Sequence, residues 1–478
     1  MTDPRPNIVL VMTDQHAARV LGSAGDRLAQ TPALDALATK GTRFENCYCP
    51  SPLCVPSRMA FLTGLEPHVS GVLTNDDYLR SDIPTIAHAM GTAGYDCRLI
   101  GRMHFYGPDQ LHGFAKRPIG DIGPSWPGSG APDIGPLTSA RGNRGPELEG
   151  SGRGETSYQA FDHAVTDHAE REINDLIRKR EATGRPFFAL VSLFCPHPPY
   201  IALPEDYDKA EQAGVPAVRL PPPERRHPAL AEWAAAGGVD DVSAEAIHKS
   251  RTAYYALAHM IDRLAGRVFD TIADRNDTVA IYTSDHGEAL GERGLWWKST
   301  FHEESVKVPL IISGGGFDQA AVDDRVTNLT DLSATLLGLS HAQMLPGHIG
   351  RDLRDHDDWP EQCTSSYYGG LMNVRTSTLR HRMIRSGQYK LCWYDGHDPQ
   401  LFDLRQDPDE LSDIASKETE IVVNLAQQLL AGWPLDEISK MQQTSQDRIG
   451  VIRDWVARCK PDEPIRWLDP RPERNRYL

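Results

Sequence analysis

Short, almost wholly apolar runs recur along this chain, and their length and spacing constrain the fold more than any other feature. They are Asn7–Thr13 (NIVLVMT), Cys97–Gly101 (CRLIG), Phe187–Phe194 (FFALVSLF), Thr278–Asp285 (TVAIYTSD) and Val308–Ser313 (VPLIIS). Runs this short, rich in β-branched and aromatic residues, read as strands covered on both faces. Helical patterns lie between them. In TPALDALATKGTRF a Thr cap precedes Pro32 and Gly41 closes the helix, and AEAIHKSRTAYYALAHMIDRLAGRVFDTI is amphipathic. The alternation predicts an α/β fold, with a central, largely parallel sheet sandwiched by helices.

After about Gly370 the pattern changes to RHRMIRSGQYKLCWYD and QLFDLRQDPDELSDI, strand-like stretches joined by turn chemistry and followed by a helix. We expect an α/β domain over residues 1–369 and a smaller C-terminal antiparallel subdomain over 370–478. Residues 107–155 are dense in Gly and Pro and read as a surface insertion or a functional lid.

With 478 residues, 40% of them hydrophobic, the chain can bury a large core. The net charge of −16 excludes a nucleic-acid partner, because phosphate backbones are held by clustered Lys and Arg. An anionic substrate would therefore have to be attracted locally. No apolar run approaches the ~20 residues needed to cross a bilayer, so no membrane partner is expected. The N-terminal apolar stretch lacks a basic start and ends at Asp14, as a buried strand does and a signal peptide does not. Eight cysteines are too sparse for a disulfide scaffold, and a cytoplasmic location is expected.

In open α/β sheets, ligands bind beyond the carboxyl ends of the strands. Asp14, the GRMH after CRLI, the CPHPPY after LVSLF and the SDHG after AIYT should therefore line one edge. Asp14, Asp285 and His286 offer carboxylate and imidazole ligands suited to a divalent cation, although strand-end Asp residues also cap helices. Arg58, Arg102, His104, His197 and Lys298 could form the ring of donors that a tetrahedral oxyanion ester needs; the alternatives are solvated charges and core histidines. Cys54, in SPLCVPSRMAFLTG, admits several readings. A zinc site with Cys47 and Cys49 lacks a second ligand pair, a Cys-His nucleophile would use His104 or His197, and a buried inert thiol is the ordinary fate of a cysteine.

CVPSRMAFLTG resembles the C-x-P-S-R core motif of the type I sulfatases of the alkaline phosphatase superfamily. PNIVLVMTDQ, GYDCRLIGRMHFYG, CPHPPY, TSDHGEALGERGLWWKSTFHEESVKVPLII and LFDLRQDPDE resemble further segments of that family. The resemblance implies that Cys54 is converted to Cα-formylglycine by a maturation enzyme, and that its hydrated aldehyde attacks a small anionic sulfate ester. It implies one divalent cation, calcium or alternatively manganese, held by Asp14, Gln15, Asp285, His286 and residue 54. Arg58, Arg102 and His104 would serve the diol and the ester oxygens, and His197 and Lys298 would bind the ester and protonate the leaving oxygen. The rival classes are a two-metal phosphatase or phosphomutase and a non-catalytic anion-binding protein.

The chain departs from the common pattern at Gln15 and His286, where many members have Asp and Asn, at Arg102, where Lys is usual, and at His302, where an aromatic residue is common. These departures place it nearest the choline-sulfatase-like and phosphonate monoester hydrolase-like branch, whose members are cytoplasmic homo-oligomers. That likeness makes Asn75 a substrate contact and Trp126 a candidate wall for a quaternary ammonium. The likeness also implies a dimer or tetramer, and RWLDPRPERNRYL (Arg466–Leu478), which mixes aromatic and Arg residues, could be an arm that reaches a neighbouring subunit. An arylsulfatase, a choline sulfatase and a phosphonate monoester hydrolase or phosphodiesterase remain open as activities.

Overall fold

A computed structural model of the protein describes residues 3–121, 126, 148–369 and 379–460. The expected arm Arg466–Leu478 and most of the Gly/Pro-rich stretch lie outside the described residues.

Apolar residues fill β1 (Asn7–Asp14) because both faces of this strand are covered. Ile8, Leu10 and Met12 enter one core cluster, and Val9 and Val11 enter the other. The remaining strands of the large sheet are β2 (Thr42–Tyr48), β3 (Asp96–Gly101), β5 (Phe187–Pro196), β7 (Thr278–Ser284), β8 (Leu310–Ser313) and β9 (Ala321–Asn328). The two-residue strands β4 (Gly152–Arg153) and β6 (Ile201–Ala202) pair with each other.

The sheet order is β3-β5-β1-β7-β8-β2-β9. β3, β5, β1 and β7 pair in parallel, β8 is antiparallel to both of its neighbours, and β2 and β9 pair in parallel. The expected sandwich and the largely parallel sheet are both present. The helices Ser157–Thr183 and Ala244–Asp270 cover one face with Phe161, Val165, Ile173, Tyr254, Leu257 and Ile261. The helices Cys54–Thr63 and Leu329–Leu339 cover the other with Val55, Met59, Phe61, Leu332 and Leu336.

Two strands escape the sequence pattern. β2 (TRFENCY) mixes buried with partly exposed positions, and the first five residues of β9 (AVDDRVTN) are all partly or fully exposed, so neither forms an apolar run. β9 is the edge of the sheet, where one side of the strand faces solvent and polar residues are tolerated.

Local signals at the first helix are also corrected. The helix spans Pro32–Thr39, but the Thr31 hydroxyl does not cap it. That hydroxyl accepts from the Gly22 N–H, while the Ala33 and Leu34 N–H groups donate to the Asp262 carboxylate on the helix Ala244–Asp270. Gly41 is needed for a different reason than closing the helix: a Cβ there would lie 2.1 Å from the Ile312 carbonyl oxygen of β8.

The antiparallel sheet expected near the C-terminus is present, in the order β10 (Gln362–Tyr367), β11 (His381–Ser386), β12 (Tyr389–Trp393), β13 (Gln400–Asp403). Its first strand therefore comes from before residue 370. Ile384, Leu391 and Leu401 of this sheet pack against Leu425 and Leu429 of the helix Thr419–Leu430.

Candidate active site

The carboxyl ends of β3, β5, β1 and β7, four adjacent strands, deliver most of the expected residues to one place. Asp14 ends β1, Arg102 and His104 follow β3, His197 follows β5, and Asp285 and His286 follow β7. The Gln15 N–H, at φ 71°, donates to Asp285 Oδ1 at 3.1 Å and ties the first of these ends to the last.

Cys54 and Arg58 come from the other side. Cys54 is the first residue of the helix Cys54–Thr63, and Arg58 lies one turn later on the same face. Leu53 supplies no side-chain cap; Asn75 Oδ1 accepts from the Val55 N–H at 2.9 Å and does so instead. The structure thus places Asn75 against the helix that carries Cys54.

Arg58 is wholly buried and its fork is fully used. Nε donates to Asp285 Oδ2 at 2.8 Å, Nη2 to Asp14 Oδ2 at 3.2 Å, and Nη1 to Ser192 Oγ at 2.9 Å. Arg102 Nε takes Asp14 Oδ2 as well, at 2.8 Å. These cations occupy the Oδ2 atoms and leave Oδ1 of each carboxylate turned inward, where His286 Nε2 lies 3.6 Å from both. His286 Nδ1 faces the Gly287 carbonyl at 3.0 Å; a carbonyl only accepts, so the proton sits on Nδ1 and the neutral ring turns its Nε2 lone pair into the cluster.

Ligand atoms of Asp14, Cys54, Asp285 and His286 all lie within 4.8 Å of one another, and all four residues are buried. Two inward carboxylate oxygens and an imidazole lone pair fit a divalent cation. Cys47 and Cys49 do not join them; both are packed in the core, so the zinc reading has no geometric support.

Cys54 Sγ lies 3.0 Å from Lys298 Nζ, 3.2 Å from His286 Nε2 and 3.6 Å from Asp14 Oδ1. Burial raises its pKa, but the Lys298 ammonium and then His286, with His104 and His197 beside the sulfur, outweigh burial and hold the thiol well below its ordinary value. Burial and Cys54 push the Asp14 carboxyl up, while Arg102, His197 and Lys298 hold it lower than usual. Lys298 Nζ also donates to Gln15 Oε1 at 2.8 Å.

The two histidines present opposite tautomers. Arg102 Nη2 can only donate and lies 3.0 Å from His104 Nδ1, so His104 carries its proton on Nε2. His197 Nδ1 lies 2.6 Å from the Pro198 carbonyl, so its proton is on Nδ1 and its Nε2 is an acceptor. Burial lowers the pKa of both, with Arg102 adding to the effect on His104 and Lys298 to that on His197.

Sequence reasoning missed the carboxylates that hold these groups in place. Asp121 accepts from the His104 N–H at 2.9 Å and from Arg117, and so fixes His104 at φ 62°. Glu288 sits behind Gln15 and Lys298. Neither announces itself by a local pattern, although Glu288 lies inside the SDHGE segment.

Asp162, on the helix Ser157–Thr183, accepts from the N–H groups of Phe194 (2.6 Å) and Cys195 (2.8 Å), where β5 turns toward His197. Burial raises its pKa to about 7, against 3.8 for the ordinary group. The folded state therefore binds a proton that the unfolded state lacks between these values, and the stability this gives is lost as pH rises through 7. Asp162→Asn removes the titration. Its stability deficit relative to the parent is expected to be about 2–3 kcal/mol smaller at pH 8 than at pH 5. Urea unfolding of both proteins at both pH values measures this, and equal deficits would contradict it.

Two further residues singled out in the sequence have these neighbours. His302 Nδ1 faces Glu410 Oε2 at 3.3 Å, in a buried cluster with Lys390, Glu303 and Arg293 that joins the loop bearing Lys298 to the C-terminal sheet. Trp126 meets Trp455 of the last helix edge-to-face, with ring centroids 5.2 Å apart. Among the described residues, no helix is long and apolar enough to cross a membrane.

Comparison with known proteins agrees with this geometry. Residues 6–342 match the family model described as Sulfatase, and residues 291–432 match that of the N-sulphoglucosamine sulphohydrolase C-terminal region. The chain is 32% identical to the choline-sulfatase of Rhizobium meliloti over 95% of this chain and 91% of that protein. It is 26% identical to an arylsulfatase of Clostridium perfringens, covering 87% of this chain and 91% of the relative. The fold resembles that of the phosphonate monoester hydrolase of Agrobacterium radiobacter, with a TM-score of 0.71 at 23% identity over 92% of this chain and 96% of that one. A strand-end carboxylate pair, an imidazole and the C-x-P-S-R helix thus meet in a chain that belongs to the sulfatase family, the sulfuric ester hydrolases that generally work with a divalent metal and a formylglycine.

Proposed function

We propose that the protein is an arylsulfatase-type hydrolase whose nucleophile is the hydrated formylglycine made from Cys54, with side activity toward phosphonate monoesters and phosphodiesters. One observation carries this reading: residue 54 opens its helix within 3.0–3.6 Å of Lys298, His286 and Asp14 at once. An inert thiol has no need of such neighbours.

In this mechanism one hydroxyl of the diol attacks sulfur, the bond from sulfur to the ester oxygen breaks, and the leaving oxygen takes a proton. The second hydroxyl then gives up its proton, the aldehyde re-forms and sulfate departs by cleavage of its bond to Cβ. Water adds to the aldehyde and restores the diol. His197 Nε2, the acceptor, suits removal of a hydroxyl proton and its later return, and Lys298 and the His104 Nε2–H suit donation. Arg58 neutralises the two carboxylates from behind, and Arg102 joins it at the rim. With the cation in place, Arg102 and Lys298 would give an acidic chain the local attraction for anions that its net charge does not.

Asp14, Gln15, Asp285, His286 and residue 54 would hold the cation. When bound it supplies charge against the oxygens of nucleophile and ester. Calcium suits the oxygen ligands, and the imidazole of His286 keeps manganese as the alternative. Choline sulfate is the second substrate reading, favoured by the 32% identity to a choline-sulfatase.

Mass spectrometry of the peptide containing Cys54, from protein made with a formylglycine-generating enzyme present, should show the aldehyde. An unmodified thiol would remove the nucleophile. On matured protein, kcat/KM should be higher for an aryl sulfate than for phenyl phosphonate, and the reverse order would make it a phosphonate monoester hydrolase.

A further inference from the structure

Behind Gln15 and Lys298 lies Glu288, fully buried and without a place in the reaction described above. Its Oε1 accepts from the Leu290 N–H at 2.6 Å and from the Trp297 N–H at 2.7 Å. Its Oε2 accepts from the Tyr200 hydroxyl at 2.7 Å and from Gln15 Nε2. Four donors converge on one carboxyl group. The loop it organises is strained, with Leu290, Trp297 and Ser299 at φ 52°, 61° and 72°, and Lys298 sits between the last two.

An amide has a donor end and an acceptor end, and this one is read from both sides. The Lys298 ammonium only donates and faces Oε1; the Glu288 carboxyl has every oxygen taken by donors and faces Nε2. The orientation of the Gln15 amide is therefore fixed by chemistry. An aspartate in this place would present oxygen whichever way it turned. A glutamine presents oxygen only if something holds its nitrogen away.

We infer that Glu288 is a positioning residue that makes Gln15 serviceable as a metal ligand: it holds the amide nitrogen, turns Oε1 toward Lys298 and the Asp14, Cys54, Asp285 and His286 cluster, and pins the backbone before Lys298 through Trp297. This rests on the reading that the cluster holds a divalent cation. Glu288→Gln keeps an oxygen for only two of the four donors: its NH2 meets either the Leu290 and Trp297 N–H groups or the Tyr200 hydroxyl and the Gln15 NH2. Turning the Gln15 amide over removes the clash at Glu288 but sets its NH2 against Lys298 and the cluster, so in neither orientation is Oε1 held as it is in the parent.

Calorimetric titration of Ca2+ and of Mn2+ into the chelator-stripped full chain tests this. Glu288→Gln should weaken ion binding by about 10–100-fold, the usual cost of losing the partner that orients a ligand. In a Gln15→Ala background the same change should cost less than about 3-fold more, because the pair acts as one unit. The inference is overturned if Glu288→Gln binds within about 2-fold of the parent, or if its loss is undiminished in the Gln15→Ala background. Should Glu288→Gln fail to fold, Gln15→Ala alone decides: a loss of about 10-fold supports the assignment and unchanged affinity overturns it. A parent protein that takes up neither ion overturns the metal reading, and this inference with it. A parent that binds while both variants bind equally well overturns the inference alone.

Discussion

Cys54→Ala is expected to lower kcat for an aryl sulfate by at least about 10⁴-fold, while the protein keeps its fold and its affinity for the anion. Alanine has no functional group at Cβ, so no covalent intermediate forms, and Arg102, Lys298 and the histidines are left to bind an ester they cannot open. The thiol is buried and its loss leaves a small void, so stability should change little beside the loss of activity. Cys54→Ser sharpens the test. Its single hydroxyl can attack sulfur once, but the sulfated serine has no second hydroxyl with which to expel sulfate. One equivalent of product should appear, followed by arrest with sulfate retained on the peptide. Sustained turnover by Cys54→Ala within about 10-fold of the matured parent would mean that the nucleophile lies elsewhere.

Asp285→Asn should release the metal and reduce kcat by about 10³-fold. Its carboxylate takes Arg58 Nε on one oxygen and the Gln15 and His286 N–H groups on the other. The amide that replaces it can satisfy only one side. If the amide oxygen keeps the two backbone donors, NH2 faces the guanidinium, and Arg58 retains only Asp14 as a counter-charge in a wholly buried position. A buried charge that loses a partner costs about 3–5 kcal/mol, so the stripped variant should also unfold at lower denaturant than the stripped parent. Metal analysis after dialysis, the rate on an aryl sulfate and urea unfolding of the stripped proteins read the three effects. Full occupancy and full rate in the variant would remove Asp285 from the site.

The strands that carry the site were legible because each is an apolar run ended by a polar residue, and the paired cores on either side of the sheet explain the pattern. β1 sends alternate residues to opposite clusters, so every position from Ile8 to Met12 must be apolar. β2 and β9 were not legible, since residues on partly exposed positions need no such run. Capping was misread at Thr31 because the side chain that serves the helix Pro32–Thr39 is Asp262, more than two hundred residues away. No local window contains that information.

The same division holds in the site. By itself the sequence singled out the residues that the fold brings together: the C-x-P-S-R stretch, the strand-end Asp14, Asp285 and His286, and the arginines, histidines and lysine near them. These follow from short motifs and from the rule that strand ends in such sheets converge. Only the tertiary structure decided what each of them faces. It turned Asn75 onto the Val55 N–H, joined His302 to Glu410, committed the Arg58 fork to Asp14 and Asp285, and set Glu288 against Gln15. The physical reason is that a hydrogen bond depends on direction and on distances of a few tenths of an ångström, which are fixed when separate elements pack and not by the neighbours of a residue along the chain.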